Sequence, residues 1–202
     1  VCVNRICLIS AHIETIVQTS TDIKQILLTH THPDHSPGAK LLQDKIGVPI
    51  FALITEGSKG QDTTFIPKKI LIDGDILTTE NYTIEVIHTP GHASNHLCYL
   101  LKEEKLLFTG DHIMDGSTVV ISPPDGNMQE YLDSLLKLKE YDLNKIAPGH
   151  GELMDDPYVI VEWIIQHRIE RESKVIEVLQ LQKSGDLDTL VKDVYSDVDP
   201  ML

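Results

Sequence analysis

The chain has 202 residues, with 31 acidic against 17 basic side chains and a formal charge of -14, enough for one sizeable core plus a small appendage. That balance works against broad binding of nucleic acid, which draws most of its affinity from basic phosphate contacts, so RNA is a disfavoured partner and a small-molecule substrate the favoured one. Three cysteines (Cys2, Cys7 and Cys98) are too few and odd in number for a disulfide framework, no apolar run approaches a membrane span, and no signal-type segment opens the chain; a cytoplasmic protein without membrane attachment is expected.

In chain order, a helix is expected from near Ala11. The apolar run Ile26 to Thr29 then suits a buried strand leading into His30-Thr31-His32-Pro33-Asp34-His35. A strand places residues two apart on one side, so His30 and His32 can converge while Thr31 points away. Pro33 fixes its own φ and sends Asp34 and His35 off in a new direction. Ala39 to Ile46 reads as a helix stopped by Gly47 and Pro49, and Pro49 to Ile54 as a strand. Asp73-Gly74 is a hairpin-like turn, and Ile84 to Thr89 feeds Pro90-Gly91-His92. Leu97 to Leu101 and Lys105 to Thr109 form a hairpin around Lys102-Glu103-Glu104, with Asp111 just past its second strand.

Asn127 with Glu130 starts a helix whose buried face is Met128, Tyr131, Leu132, Leu135 and Leu138, and Ile146 to Pro148 is a short strand before His150. From Tyr158 a long helix carries Val161, Ile165, Ile169, Ile176 and Leu179 as its apolar face, Gly185 ends it, and Leu187 to Tyr195 is a further short helix. Two parts follow, 1–157 and 158–202. On the long helix, Arg168, Arg171 and Lys174 are candidate contacts for an anionic substrate. The competing reading, a solvated face paired with Glu170 and Glu172, is the stronger one. There is no internal repeat.

The chemistry lies in the histidines and aspartates just beyond strand ends. Imidazole and carboxylate suit Zn²⁺, and also Fe or Mn, while the lack of a nearby thiolate argues against a closed structural zinc site. Seven candidates are too many for one tetrahedral ion, so two ions at an open catalytic site are expected. His12, His88, His112 and His167 are read as packing residues, whereas His96 and Ser94-Asn95, just after His92, are placed to line the pocket, with a packing or hydrogen-bonding role an equal alternative for His96.

The hexapeptide, Pro-Gly-His92, Leu107-Phe108-Thr109-Gly110-Asp111, Tyr131-Leu132-Asp133-Ser134-Leu135, Ala147-Pro148-Gly149-His150-Gly151 and His167-Arg168-Ile169-Glu170-Arg171-Glu172 resemble the metallo-β-lactamase superfamily, in particular its hydroxyacylglutathione-hydrolase-like and β-lactamase-like protein 2 group. The resemblance covers Ile23 to Asp199. It implies an αβ/βα sandwich of two mixed sheets flanked by helices, with a partial winged-helix-like module at the C-terminal end. It implies that His30, His32 and His92 hold one ion, that Asp34, His35 and His150 hold the second, and that Asp111 bridges. A hydroxide shared by two zinc ions would be the nucleophile, oriented by Asp34. Relatives carry further N-terminal strands and an Asp-Pro-Gly segment where this chain has only Val1 to Ser10, so a chain cut short at both ends is expected, with a homodimer as one outcome. Hydrolysis of a small ester, thioester or lactone is the leading activity. The alternatives are cleavage of single-stranded RNA and a mononuclear iron sulfur dioxygenase, which needs only His30, His92 and Asp111.

Overall fold

The computed structural model describes residues 2–4, 10–20, 22–55, 61–182 and 186–196. The chain divides into two compact units, Val1–Tyr158 and Val159–Leu202.

The first unit contains two sheets. Strands β1 (Cys2–Asn4), β2 (Ile26–Leu28), β3 (Ile50–Ala52) and β4 (Lys69–Ile70) pair in that order, all parallel. The second sheet runs in the order β10-β9-β8-β7-β6-β5, built from β5 (Ile76–Thr78), β6 (Thr83–His88), β7 (Leu97–Leu101), β8 (Leu106–Gly110), β9 (Lys145–Pro148) and β10 (Met154–Asp155). Its pairs are antiparallel except β8 with β9.

The apolar run of β2 has a reason: both of its faces are covered, as a central parallel strand requires. Ile26 and Leu28 join Ile13, Ala39, Leu42 and Ile50 in a core that also contains the helices α1 (Ser10–Thr19) and α2 (Pro37–Ile46), whereas Leu27 points the other way, onto Leu71, Ile84, Val86, Leu97 and Tyr99 between the sheets. The buried Tyr99 hydroxyl donates to the Leu28 carbonyl at 2.6 Å and ties the layers together. On the far side, α3 (Met128–Leu138) rests Tyr131 and Ser134 on the His112 and Pro90 carbonyls, through hydrogen bonds of 2.9 and 2.8 Å. The result is the αβ/βα sandwich.

Several elements differ from the sequence reading. Helix α2 begins at Pro37 rather than Ala39, because proline is well placed in a first helical turn where its missing N–H is not needed. The strands expected over 26–29, 49–54 and 105–109 are shorter or shifted, and β1, β4, β5 and β10 were not expected; each has only two or three residues, too few for a periodicity to register. On α3, Met128 is exposed, Leu132 is half-buried, and Ser134 is buried between Tyr131 and Leu135.

In the second unit, α4, which begins in the first (Pro157–Gln182), is followed by α5 (Leu187–Val194), capped by Asp186, whose carboxylate accepts from Thr189 N at 2.9 Å. The expected apolar face of α4 is not the buried one. Val161 and Ile164 are buried, but Ile169, Ile176 and Leu179 are exposed. Arg168, Arg171 and Lys174 are half-buried instead. Apolar residues occur all round this helix, so spacing alone does not select a face. The Gly185 stop lies outside the described residues. No described helix is long and apolar enough to cross a membrane.

Candidate metal centre

In the second sheet β7 runs against both β6 and β8, so β6, β8 and the parallel β9 all end at the same edge. His92 follows β6, Asp111 follows β8, and His150 follows β9. The end of β2 is brought to the same place by the Leu97 N–H, which donates to the Thr29 carbonyl at 2.7 Å. His30 to His35 therefore meet the other three positions. His30 and His32 lie beyond β2, not on it, so a loop rather than a strand pleat makes them converge, with ring centroids 4.6 Å apart.

Two groups result. Ring nitrogens of His30, His32 and His92 lie within 4.8 Å of one another, as do ligand atoms of Asp34, His35, Asp111 and His150. In the first group His32 Nδ1 is 3.0 Å from His92 Nε2. Tetrahedral zinc with Zn–N bonds of about 2.0–2.1 Å would put its ligand nitrogens about 3.3 Å apart. His92 Nδ1 donates to the Val120 carbonyl at 2.7 Å, which leaves Nε2 with its lone pair facing the group. His30 Nδ1 is engaged by the Thr29 hydroxyl at 3.1 Å, and its Nε2 is buried without a hydrogen-bond partner.

In the second group His35 Nε2 stands 3.1 Å from Asp111 Oδ1 and 3.3 Å from Asp34 Oδ2, and His150 Nε2 stands 3.5 and 3.2 Å from the same two oxygens. His35 Nε2 and Asp111 Oδ1 are close but not aligned as a hydrogen bond. His35 Nε2 and Asp111 Oδ1 thus crowd a common point without bonding to each other, as a shared cation requires, whereas His150 Nε2 is hydrogen-bonded to Asp34 Oδ2. Asp111 divides its oxygens, since Oδ1 faces His35 and His150 while Oδ2 lies 3.8 Å from His92 Nε2.

Electrostatics favour ligation. Burial, with the imidazoles of His96, His35, His32 and His92 around it, holds His30 well below the usual histidine range; His32 is lowered by burial and then by His92. Both rings are therefore neutral and able to donate a lone pair. Burial pushes the Asp111 carboxyl up, but the His35, His150 and His92 rings beside it outweigh that and hold it below the usual carboxylate range. The residues present fit a pair of divalent cations in ligand type, convergence and protonation.

Among the residues read as packing, His88 bonds the Ser94 carbonyl at 2.9 Å, and His167 stacks on Trp163 in the second unit. His96 and His112 are fully buried just behind the centre, with His96 Nδ1 held by the Thr89 hydroxyl at 2.9 Å and its ring 5.0 Å from His30. Of the basic candidates, Arg171 donates from Nη1 to the Val194 carbonyl at 2.8 Å and covers the Tyr195 ring at 4.8 Å, so it fastens α5 rather than forming a solvated face. Gln61, Asp125 and the backbone of Val120 were not anticipated, and Thr31 was expected only to point away. No local pattern marks these common polar residues.

An αβ/βα sandwich with a three-histidine group and an imidazole–carboxylate group at one sheet edge defines a class of α/β proteins with metal-binding residue clusters. The chain belongs to the metallo-beta-lactamase superfamily, whose family model matches residues 8–150. It is similar to the beta-lactamase-like protein 2 homolog of Caenorhabditis elegans, at 31% identity over 193 residues, which are 94% of this chain and 63% of that protein. The Drosophila melanogaster homolog is 31% identical over 197 residues, 93% of this chain and 66% of that protein. The atrochrysone carboxyl ACP thioesterase of Aspergillus fumigatus is 29% identical over 163 residues, 78% of this chain and 48% of that protein. The chain thus spans between 48% and 66% of these three relatives.

Two solved structures share the fold. A metallo-beta-lactamase family protein from Thermus thermophilus has a TM-score of 0.74 at 22% identity, over 88% of this chain and 73% of that one. TTHA1623 in a di-iron-bound form has a TM-score of 0.59 at 24% identity, over 70% of this chain and 77% of that one.

Proposed function

We propose that this chain is a dinuclear metal-dependent hydrolase, with zinc as the metal, that cleaves a small ester, thioester or lactone. The observation that carries the reading is the placement of Asp111, which turns one oxygen toward each ligand group. In this reading His30, His32 and His92 hold one cation, Asp34, His35 and His150 the other, and Asp111 both. Bound there, the cations would lower the pKa of an attacking water toward neutrality and polarise the acyl oxygen.

The chain's own residues supply the rest. Asp34, with its side chain 48% exposed, has a carboxylate at the open side of the centre, where it can accept a proton from water and orient it. The Val120 carbonyl holds His92 in the tautomer that leaves a lone pair on Nε2, and the Thr29 hydroxyl orients the His30 ring. A small-molecule substrate is favoured over RNA because residues 29–36, 61–66, 89–96, 109–127 and 147–156 contain no Lys or Arg. The thioesterase among the relatives supports an acyl substrate.

Elemental analysis followed by a panel of thioester, lactone and single-stranded RNA tests this. Two zinc ions per chain and acyl turnover are expected, with His150→Ala emptying the second site first. A single iron per chain with no acyl hydrolysis would overturn it in favour of the mononuclear oxidoreductase, and the di-iron form of TTHA1623 makes iron the metal to measure beside zinc. Arg168, Arg171 and Lys174 enter the proposal as contacts for an anionic substrate group. Arg168→Glu should raise KM for such a substrate with metal content unchanged, and unaltered kinetics would remove them. A cytoplasmic location and a homodimer complete the proposal, the latter checked by sedimentation.

A further inference from the structure

We propose that Asn95, Thr31 and Gln61 form a positioning cluster that sets the His30–His32–His92 group for its cation; the inference rests on the two-metal reading above. Thr31 sits between the two ligands His30 and His32, 1% exposed, with its side chain turned away from them. Its hydroxyl donates to Gln61 Oε1 and accepts from Asn95 Nδ2, the latter at 2.7 Å. Its carbonyl accepts from Asp62 N at 2.8 Å.

Asn95, three residues after His92 and 1% exposed, directs the same amide nitrogen at Gln61 Oε1 (3.2 Å) and at the Leu53 carbonyl (3.3 Å). Because a backbone carbonyl can only accept, the amide nitrogen and not its oxygen must face that side. Gln61 in turn donates from Nε2 to Asp125 Oδ2 at 3.1 Å.

The cluster therefore joins the loop that carries His30 and His32 to the loop that carries His92. Those ligand segments are 60 residues apart in the chain, yet His32 Nδ1 stands 3.0 Å from His92 Nε2. None of the bonds made by Asn95 reaches Asp34, His35, Asp111 or His150. Asn95 Oδ1 is buried with no hydrogen-bond partner, a cost that an apolar residue of similar size would avoid. A role limited to packing does not account for an amide at this place, whereas holding two ligand loops in register does.

The test titrates zinc into the chelator-stripped full chain by competition with a chromophoric chelator, comparing wild type with Asn95→Leu, Thr31→Val and Gln61→Ala. Each is repeated in the His150→Ala background to isolate the first site. The expected result is a loss of affinity of about tenfold to a hundredfold at the first site, with the second site within about twofold of wild type. Leu135→Ala on α3 is the control for general destabilisation.

First-site affinity unchanged in Thr31→Val and Gln61→Ala would overturn the proposal, as would an equal loss in Leu135→Ala. Should Asn95→Leu not fold, Thr31→Val, which removes the Thr31 hydroxyl's bonds to Asn95 and Gln61 with little change of shape, decides the matter. A wild type that binds fewer than two ions would refute the two-metal reading instead, so the two failures are distinguishable.

Discussion

At Gly149 there is no room for a side chain: a Cβ there would lie 2.7 Å from Asp111 Oδ1 and 2.9 Å from His35 Cε1. Gly149→Ala must push aside one of the residues that define the second ligand group. We expect it to weaken zinc binding there by about tenfold or more while leaving the far-ultraviolet circular dichroism unchanged; elemental analysis that finds full occupancy would contradict this. The buried histidines behind the centre make a separate prediction. Burial, with His92 nearby, pushes His112 down to about 3 from an ordinary value of 6.5. A depressed folded-state value means that the unfolded chain takes up the proton first. Stability is therefore intact above pH 6.5 and falls as the pH drops from there toward 3. His112 alone should cost about 2 kcal/mol at pH 5 relative to pH 7, and His96 and His30, also held low by burial, act in the same direction. Urea midpoints of the chelator-treated chain at the two pH values check the sign.

Among the elements, α3 was the most legible, because Asn127 and Glu130 mark its start in the sequence and the structure uses Asn127 as the cap. Its side-chain oxygen accepts from Gln129 N at 3.0 Å and Glu130 N at 3.2 Å. Asn127→Ala should cost about 1 kcal/mol, read as a lower thermal midpoint at unchanged metal stoichiometry. Its own N–H donates to the Gly91 carbonyl, so the backbone before His92 is held either way. Helix α4 was the least legible, since the expected apolar stripe is largely exposed and the basic residues lie on the half-buried side. With apolar residues on every face, the choice was left to whatever packs against the helix, and α5, fastened through Arg171 to Val194, is one such partner.

For the whole molecule, the candidate ligands come from four segments far apart in the chain, so cation binding there should be coupled to folding. With zinc about a hundredfold above its Kd, native stability should rise by about 2.7 kcal/mol. Thermal melts with and without chelator measure this, and coincident midpoints would separate folding from metal binding. The charge of -14 would add to the effect, because two bound dications would offset part of the self-repulsion of an acidic chain.

The candidate ligand residues could be read in one dimension because the chemistry demands uncommon side chains in narrow local settings. His-x-His-x-Asp-His turns on one proline, and His92, Asp111 and His150 each follow a glycine at a strand end. The strands leading to them could be read for the same reason, as apolar runs cut off by turn residues. Which oxygen of Asp111 faces which group, and which polar residues brace the ligands, were decided only when two sheets stacked and brought positions 31, 61, 95 and 125 together. Threonine, asparagine, glutamine and aspartate are at home on any surface loop. Their pairing depends on the distance between loops that the chain holds far apart, and that distance is set by the packing of Leu27 and Tyr99 between the layers.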